Sequence, residues 1–143
     1  MDPQTRPPLT SPAATSSGAS DVDGEHEIQI SLLTAFLDAV AKGRDRAARD
    51  DILDRLLDYC KLHFLSEELL MRFYSYSGYE AHVREHEQTV ERIIALRENS
   101  LGGGDALSRA DAEALGRGIV AHIRETDRAL GHFLAKVRAN DTV

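Results

Sequence analysis

Two short stretches hold residues whose types and spacing could do chemistry. "HFLSEELLM" sets His63 and Glu67 four residues apart, and "HVREH" sets His82 and His86 four apart. In a helix, residues four apart stand one above the other on the same face. Each pair therefore offers two donor atoms side by side. Imidazole nitrogen with carboxylate oxygen suits iron, zinc or manganese. His26 and His122 fall on apolar stripes of their own. Burying one unpaired imidazole or carboxylate costs on the order of several kcal/mol. Six such groups (His26, His63, Glu67, His82, His86 and His122) would cancel most of a typical stability of roughly 5–15 kcal/mol. A lone His63–Glu67 pair reads equally well as an ordinary helical hydrogen bond. Six groups drawn from four segments must satisfy one another or share an ion.

Five histidines and a carboxylate exceed the four ligands of a closed zinc site. They suit two six-coordinate ions a few ångströms apart, bridged by carboxylate. Asp127 joins this set with one difficulty. It lies five residues after His122, and an ideal helix turns by about 140° over that span. Either the ion pair is wide enough to be reached from both directions, or the fourth helix carries a π-bulge there. "HVREH" also reads as H-x-x-E-H, the zinc-peptidase signature in reversed order, with Glu85 as general base. That reading leaves the other polar groups without a role. Glu85 stands one residue off the stripe, so Glu85 and Glu68 are placed at the rim or in solvent.

The elements that must position these residues follow from apolar spacing at threes and fours. The first series is His26, Ile30, Leu33, Leu37, Val40, with Asp23 as N-cap and an end at Gly43. The second is Leu53, Leu56, Cys60, His63, Glu67, Leu70, Tyr74, broken by "SYSGY". Ser77 with Glu80 then resembles a capping box. It opens a third series: Tyr79, His82, His86, Val90, Ile93, Leu96. After the loop "NSLGGGD" the fourth runs Leu115, Ile119, His122, Thr126, Leu130, Phe133, Val137. No segment alternates with period two. Prolines occur only at positions 3, 7, 8 and 12, and an interior proline would cost a helix about 3 kcal/mol. The expectation is all-α: an up-down-up-down four-helix bundle enclosing a dinuclear metal site.

At 143 residues the chain fits one domain. Residues 1–20, rich in Pro, Ser, Thr and Ala, read as a disordered tail, and 21–143 as the bundle. The net charge of -7 argues against a nucleic-acid partner. No apolar run approaches the ~18 residues of a membrane span. The tail lacks the apolar core of a secretion signal, so the cytoplasm is the expected location. A single cysteine, Cys60, requires no oxidising compartment and reads as a buried structural thiol. No apolar patch stands out on the acidic surface, which favours a monomer.

With these residues in place, the chain resembles hemerythrin, specifically the bacterial hemerythrin-like proteins, over roughly residues 21–139. The resemblance rests on "VDGEH", "HFLSEELLM", "HVREH" and "HIRETD". It implies a non-haem centre of two iron ions. His82, His86 and His122 would hold one iron, and His26 and His63 the other. Glu67 and Asp127 would bridge them, with an oxo or hydroxo group as third bridge. Dioxygen would enter the open position of the second iron and be held as hydroperoxide. The implied function is reversible oxygen binding for storage, delivery or sensing. A di-iron redox enzyme acting on peroxide or nitric oxide is the runner-up, and iron handling or iron–sulfur repair a third reading. Neutral imidazoles outnumber carboxylates in the array, which favours holding dioxygen over cleaving it. Ile119 and Ile123 flank His122 and would wall the oxygen pocket. Relatives usually carry Trp where this chain has Gly118, with Gly116 nearby, so an opening beside the pocket is expected there. His132 falls outside the ligand spacing and is placed on the surface.

Overall fold

The computed structural model describes residues 20–99 and 105–141. The expected tail up to residue 19, and the expected loop at 100–104, lie outside the described residues. Helix α1 spans Ser20–Ala41, α2 Arg46–Phe73 and α3 Tyr79–Asn99. The fourth rod is one run of three parts: α4 at Asp105–Ala121, a π-helical turn at His122–Asp127 and α5 at Arg128–Asp141. Among the described residues there is no strand.

Local chemistry sets most of the boundaries. Gly43 has φ 65°, and Arg44 N donates to Ala39 O at 3.0 Å, which closes α1 as the glycine predicts. Asp45 Oδ1 accepts from Ala48 N at 2.9 Å and caps α2. Two expected starts are corrected. Asp23 lies inside α1, which begins at Ser20; "SDVD" holds three residues of capping type, so the pattern could not single one out. Gly78, not Ser77, takes the N-cap place of α3, since its carbonyl accepts from His82 N at 3.0 Å. The turn before it runs through Ser75 at φ 53° and delays the helix by one residue.

Cross-helix contacts fix the topology. Gln29 meets Cys60 and Glu25 meets His63, so α1 and α2 are antiparallel. Arg97 reaches Asp54 while His86 reaches Glu68, so α2 and α3 are antiparallel. Glu85 lies against His122 and Arg92 against Gly118, which sets α3 and α4 antiparallel. The fourth rod closes the ring against α1, with Leu37 beside Gly116 and His26 beside Asp127.

The core has two apolar parts with a polar band between them. The larger includes Ile30, Leu33, Leu53, Leu56, Cys60, Phe64, Ile93, Leu115, Ile119 and Ile123. The smaller is built on Met71, Leu130 and Leu134, ringed by Tyr74, Tyr76, Tyr79 and Phe133. The π turn shifts the buried stripe of the fourth rod. Leu115, Ile119, His122 and Leu130 are buried as expected, but after the turn Asp127 and Leu134 are buried too. The expected Thr126, Phe133 and Val137 are only partly covered. A π turn inserts one residue into the helical ladder, so the stripe passes from Thr126 to Asp127 and from Phe133 to Leu134, while Leu130 stays on it.

Two surface features complete the fold. No described helix is long and apolar enough to cross a membrane. The expectation of no apolar patch is corrected: Leu62, Leu65, Leu69 and Phe73 on α2 are each more than half exposed. They interleave with the buried Cys60, His63, Glu67 and Met71, so the helix is apolar on two faces and its sequence does not reveal which is bare.

Candidate metal centre

The seven expected ligands meet in the polar band. His26, His63, Glu67, His82, His86, His122 and Asp127 are all buried. They come from all four rods. His82 and His86 share one face of α3 at i,i+4, and His63 and Glu67 share one face of α2. The π turn answers the difficulty with Asp127, since its wider ring brings residues five apart onto one side. His122 Nε2 stands 2.9 Å from Asp127 Oδ1.

The donor atoms form two groups, each within 4.8 Å. One gathers His82, His86 and His122; the other gathers His26 and His63; Glu67 and Asp127 belong to both. Each carboxylate divides its oxygens between the groups. Glu67 Oε1 lies 3.1 Å from His82 Nε2 and 2.9 Å from His86 Nε2. Its Oε2 lies 3.4 Å from His63 Nε2 and 3.7 Å from His26 Nε2. Asp127 Oδ1 faces His82 at 3.0 Å, and Oδ2 faces His26 at 2.8 Å.

Three glutamates hold the outer nitrogens. His63 Nδ1 donates to Glu25 Oε1 at 2.6 Å, His86 Nδ1 to Glu68 Oε2 at 2.9 Å, and His122 Nδ1 to Glu85 Oε1 at 2.7 Å. Thr126 Oγ1 also donates to Glu85 Oε1, at 2.7 Å. Each glutamate is the sequence neighbour of a candidate ligand on its own helix. Offset by about 100°, it reaches a histidine on the next helix of the ring. With Nδ1–H committed outward, Nε2 is free to present its lone pair inward. Sequence reading left Glu68 and Glu85 as rim residues and missed Glu25. The signal was a glutamate beside a ligand, "EH" at 25–26 and 85–86 and "EE" at 67–68. Glu85 is turned outward to His122 and Thr126, so the competing reading of it as a zinc-hydrolase base is set aside.

The electrostatics describe a site that gathers charge. Burial works against ionised His26 and His82, but the adjoining Asp127 and Glu67 carboxylates outweigh it and raise each to about 9. Against the same burial, His122 is raised too, by Asp127 and Glu85. Burial works to raise Glu67 and Asp127, yet the surrounding imidazoles hold both well below the usual carboxylate range. His26 Nε2, His63 Nε2, His122 Nε2, Glu67 Oε2 and both Asp127 oxygens are buried without an aligned hydrogen bond. They are close to one another but aimed at the space between. Inward-pointing donors of this kind fit metal ions.

The other candidates sort by position. Ile119 and Ile123 are buried in the larger apolar part, next along the rod to His122. The expected opening at Gly118 is corrected: a Cβ there would stand 2.7 Å from Arg92 Nη1, so the guanidinium fills the place. His132 is exposed, as expected. Cys60 is buried, Gln29 Nε2 donates to its Sγ at 3.2 Å, and burial pushes the thiol up to about 11. That is a structural thiol. Gln29, one turn after His26, is a buried polar residue that the spacing did not single out.

Comparison with known proteins agrees with this geometry. The family model described as "Hemerythrin HHE cation binding domain" matches residues 17–134, which include the whole band. A bacteriohemerythrin of Stenotrophomonas maltophilia (strain R551-3) is 32% identical over 112 residues, 78% of this chain and 72% of that protein. One from Pseudomonas paraeruginosa is 29% identical over 111 residues, 78% and 71% of the two chains. A crystal structure of wild-type hemerythrin superposes with a TM-score of 0.73 at 25% identity, covering 85% of this chain and 93% of that one. Fold, band and sequence thus converge, and the chain belongs to the hemerythrin family.

Proposed function

We propose that this protein holds two iron ions and binds dioxygen reversibly. The observation that supports this best is the division of the carboxylate oxygens: Glu67 and Asp127 each present one oxygen to the three-histidine group and the other to the two-histidine group. Carboxylates placed in that way suit a bridged pair of ions. His82, His86 and His122 would hold one iron and His26 and His63 the other. Such a pair would supply two electrons, and the side with fewer histidines offers it one protein donor fewer.

The chain's own residues account for the rest. Glu25, Glu68 and Glu85 fix three imidazoles in the tautomer that points Nε2 inward. Ile119 and Ile123, buried in the larger apolar part next along the rod to His122, would keep water from a reduced centre. Neutral imidazoles outnumber the carboxylates, which favours holding dioxygen over splitting it. The redox-enzyme reading, with peroxide or nitric oxide as substrate, drew on an opening at Gly118. Arg92 fills that place, so the binding reading is the better supported.

Ferrous titration of metal-free protein, followed by an oxygen-binding isotherm, tests the proposal. Two irons and one dioxygen per chain are expected. A single ion per chain, or oxygen consumed without being recoverable, would sink it.

A further inference from the structure

α2 carries a second apolar face that no described residue covers. Leu62, Leu65, Leu69 and Phe73 are 64%, 53%, 51% and 77% exposed. With Asp58 before them and Arg72 among them, they follow threes and fours along one side of the helix. Four large apolar side chains in one exposed row mark an association surface rather than scattered surface residues. From Asp58 to Phe73 the row spans about 24 Å, at about 1.5 Å per residue.

The charges choose the partner. Asp58 lies seven residues before Leu65 and Arg72 seven after it. Lys61 lies four before and Glu68 three after. Among the described residues, Asp58, Lys61 and Arg72 make no ion pair. We propose that this face pairs with a second copy of the same chain, α2 against α2, antiparallel about a two-fold axis through Leu65. That symmetry sets Leu65 against its own copy and brings Leu62 to within one residue of the partner's Leu69. It also sets Asp58 against the partner's Arg72 and Lys61 within one residue of the partner's Glu68, each pair made twice. A parallel pairing would set like against like at every one of these positions. Isologous contacts of this kind close on themselves and do not propagate.

Beside Leu65, between α2 and α3, runs a groove of about 340 Å³, apolar at Phe64 and Val90 and acidic along Glu68, Glu87 and Glu91. Its apolar side, at Phe64 and Val90, extends the leucine row, and its acidic side suits the partner's Lys61. One helix face of this length buries less than the roughly 1,600 Å² of a standard interface, so a dimer of roughly micromolar strength fits. The rim charges set orientation more than strength. Glu68, which holds His86, lies inside the contact.

Sedimentation of the iron-loaded full chain tests this, from low micromolar to high micromolar protein. The mass should rise with concentration from 15.8 kDa toward twice that value. Leu65→Glu should weaken association roughly 30-fold or more, as for a central interface residue, with helix content and iron unchanged. Asp58→Arg alone should weaken the dimer, and adding Arg72→Asp should restore it. These two positions are exposed, so the swap decides the matter even if Leu65→Glu fails to fold. A constant monomer mass overturns the proposal. So does a dimer indifferent to Leu65→Glu, or a double swap that does not recover.

Discussion

The two halves of the polar band are built unequally. The half with His82, His86 and His122 draws its imidazoles from α3 and the π turn, and two of the three are held from outside by Glu68 and Glu85. Thr126 braces Glu85 in turn. The half with His26 and His63 draws one imidazole each from α1 and α2, and only His63 is held, by Glu25. His26 Nδ1 has no hydrogen bond among the described residues. One half thus has five gathered donors and two braced imidazoles, and the other has one donor fewer and one braced imidazole. On the proposed reading, ligand count alone would direct an incoming ligand to one side, while the shared carboxylates would tie the two sides into one unit.

The strongest test of that unity is to remove a shared group. Asp127→Ala should empty both halves, with iron per chain falling close to zero by elemental analysis. If one iron stays bound, the two sides are independent. The next test separates them. Glu85→Gln and Glu25→Gln should each lower iron affinity roughly 10–100-fold, the first on the three-histidine side and the second on the two-histidine side. Equal loss at both sites from either change would erase the distinction.

Acidity sharpens the comparison in the metal-free protein. His26 and His82 are raised from 6.5 to about 9 by Asp127 and Glu67. A raised histidine contributes stability that is complete below its unfolded value and is lost as pH climbs through the folded one. The metal-free protein should therefore lose melting temperature between pH 6.5 and 9. The depressed carboxylates act at the other end, with stability lost as pH falls below about 4.5. A thermal scan with flat stability across both windows would contradict the charged band.

Packing changes come last. Ile123→Val should cost about 0.5–1.5 kcal/mol by denaturant unfolding, since Ile123 is fully buried beside His122. Gly118→Ala should stabilise by about 0.5–1 kcal/mol, because the Arg92 guanidinium it meets is the far end of a flexible side chain.

Much of this was legible in the sequence, and the exceptions have physical causes. His26, His63, His82, His86 and His122 betrayed themselves by type on apolar stripes, and period alone yielded four rods. Asp127 was visible, but whether the helix or the metal spacing absorbed its five-residue offset was not; a π turn costs one hydrogen-bond register and leaves no mark in composition. Once present it moved Phe133 and Val137 off the buried stripe. Glu25, Glu68 and Glu85 escaped because a charged residue on a solvent-facing helix side looks the same whether or not it reaches a neighbour. Arg92 escaped for the same reason: the glycine opposite suggested space, and a long side chain from α3 occupied it.

One measurement bears most directly on the central claim. Iron-loaded protein is reduced without oxygen, exposed to air, then freed of oxygen again, while iron content and the visible spectrum are followed. The account predicts two irons per chain and an absorption band that appears with oxygen and leaves with it over repeated cycles. Two irons with a single irreversible change on first exposure, or one colourless ion, would contradict it.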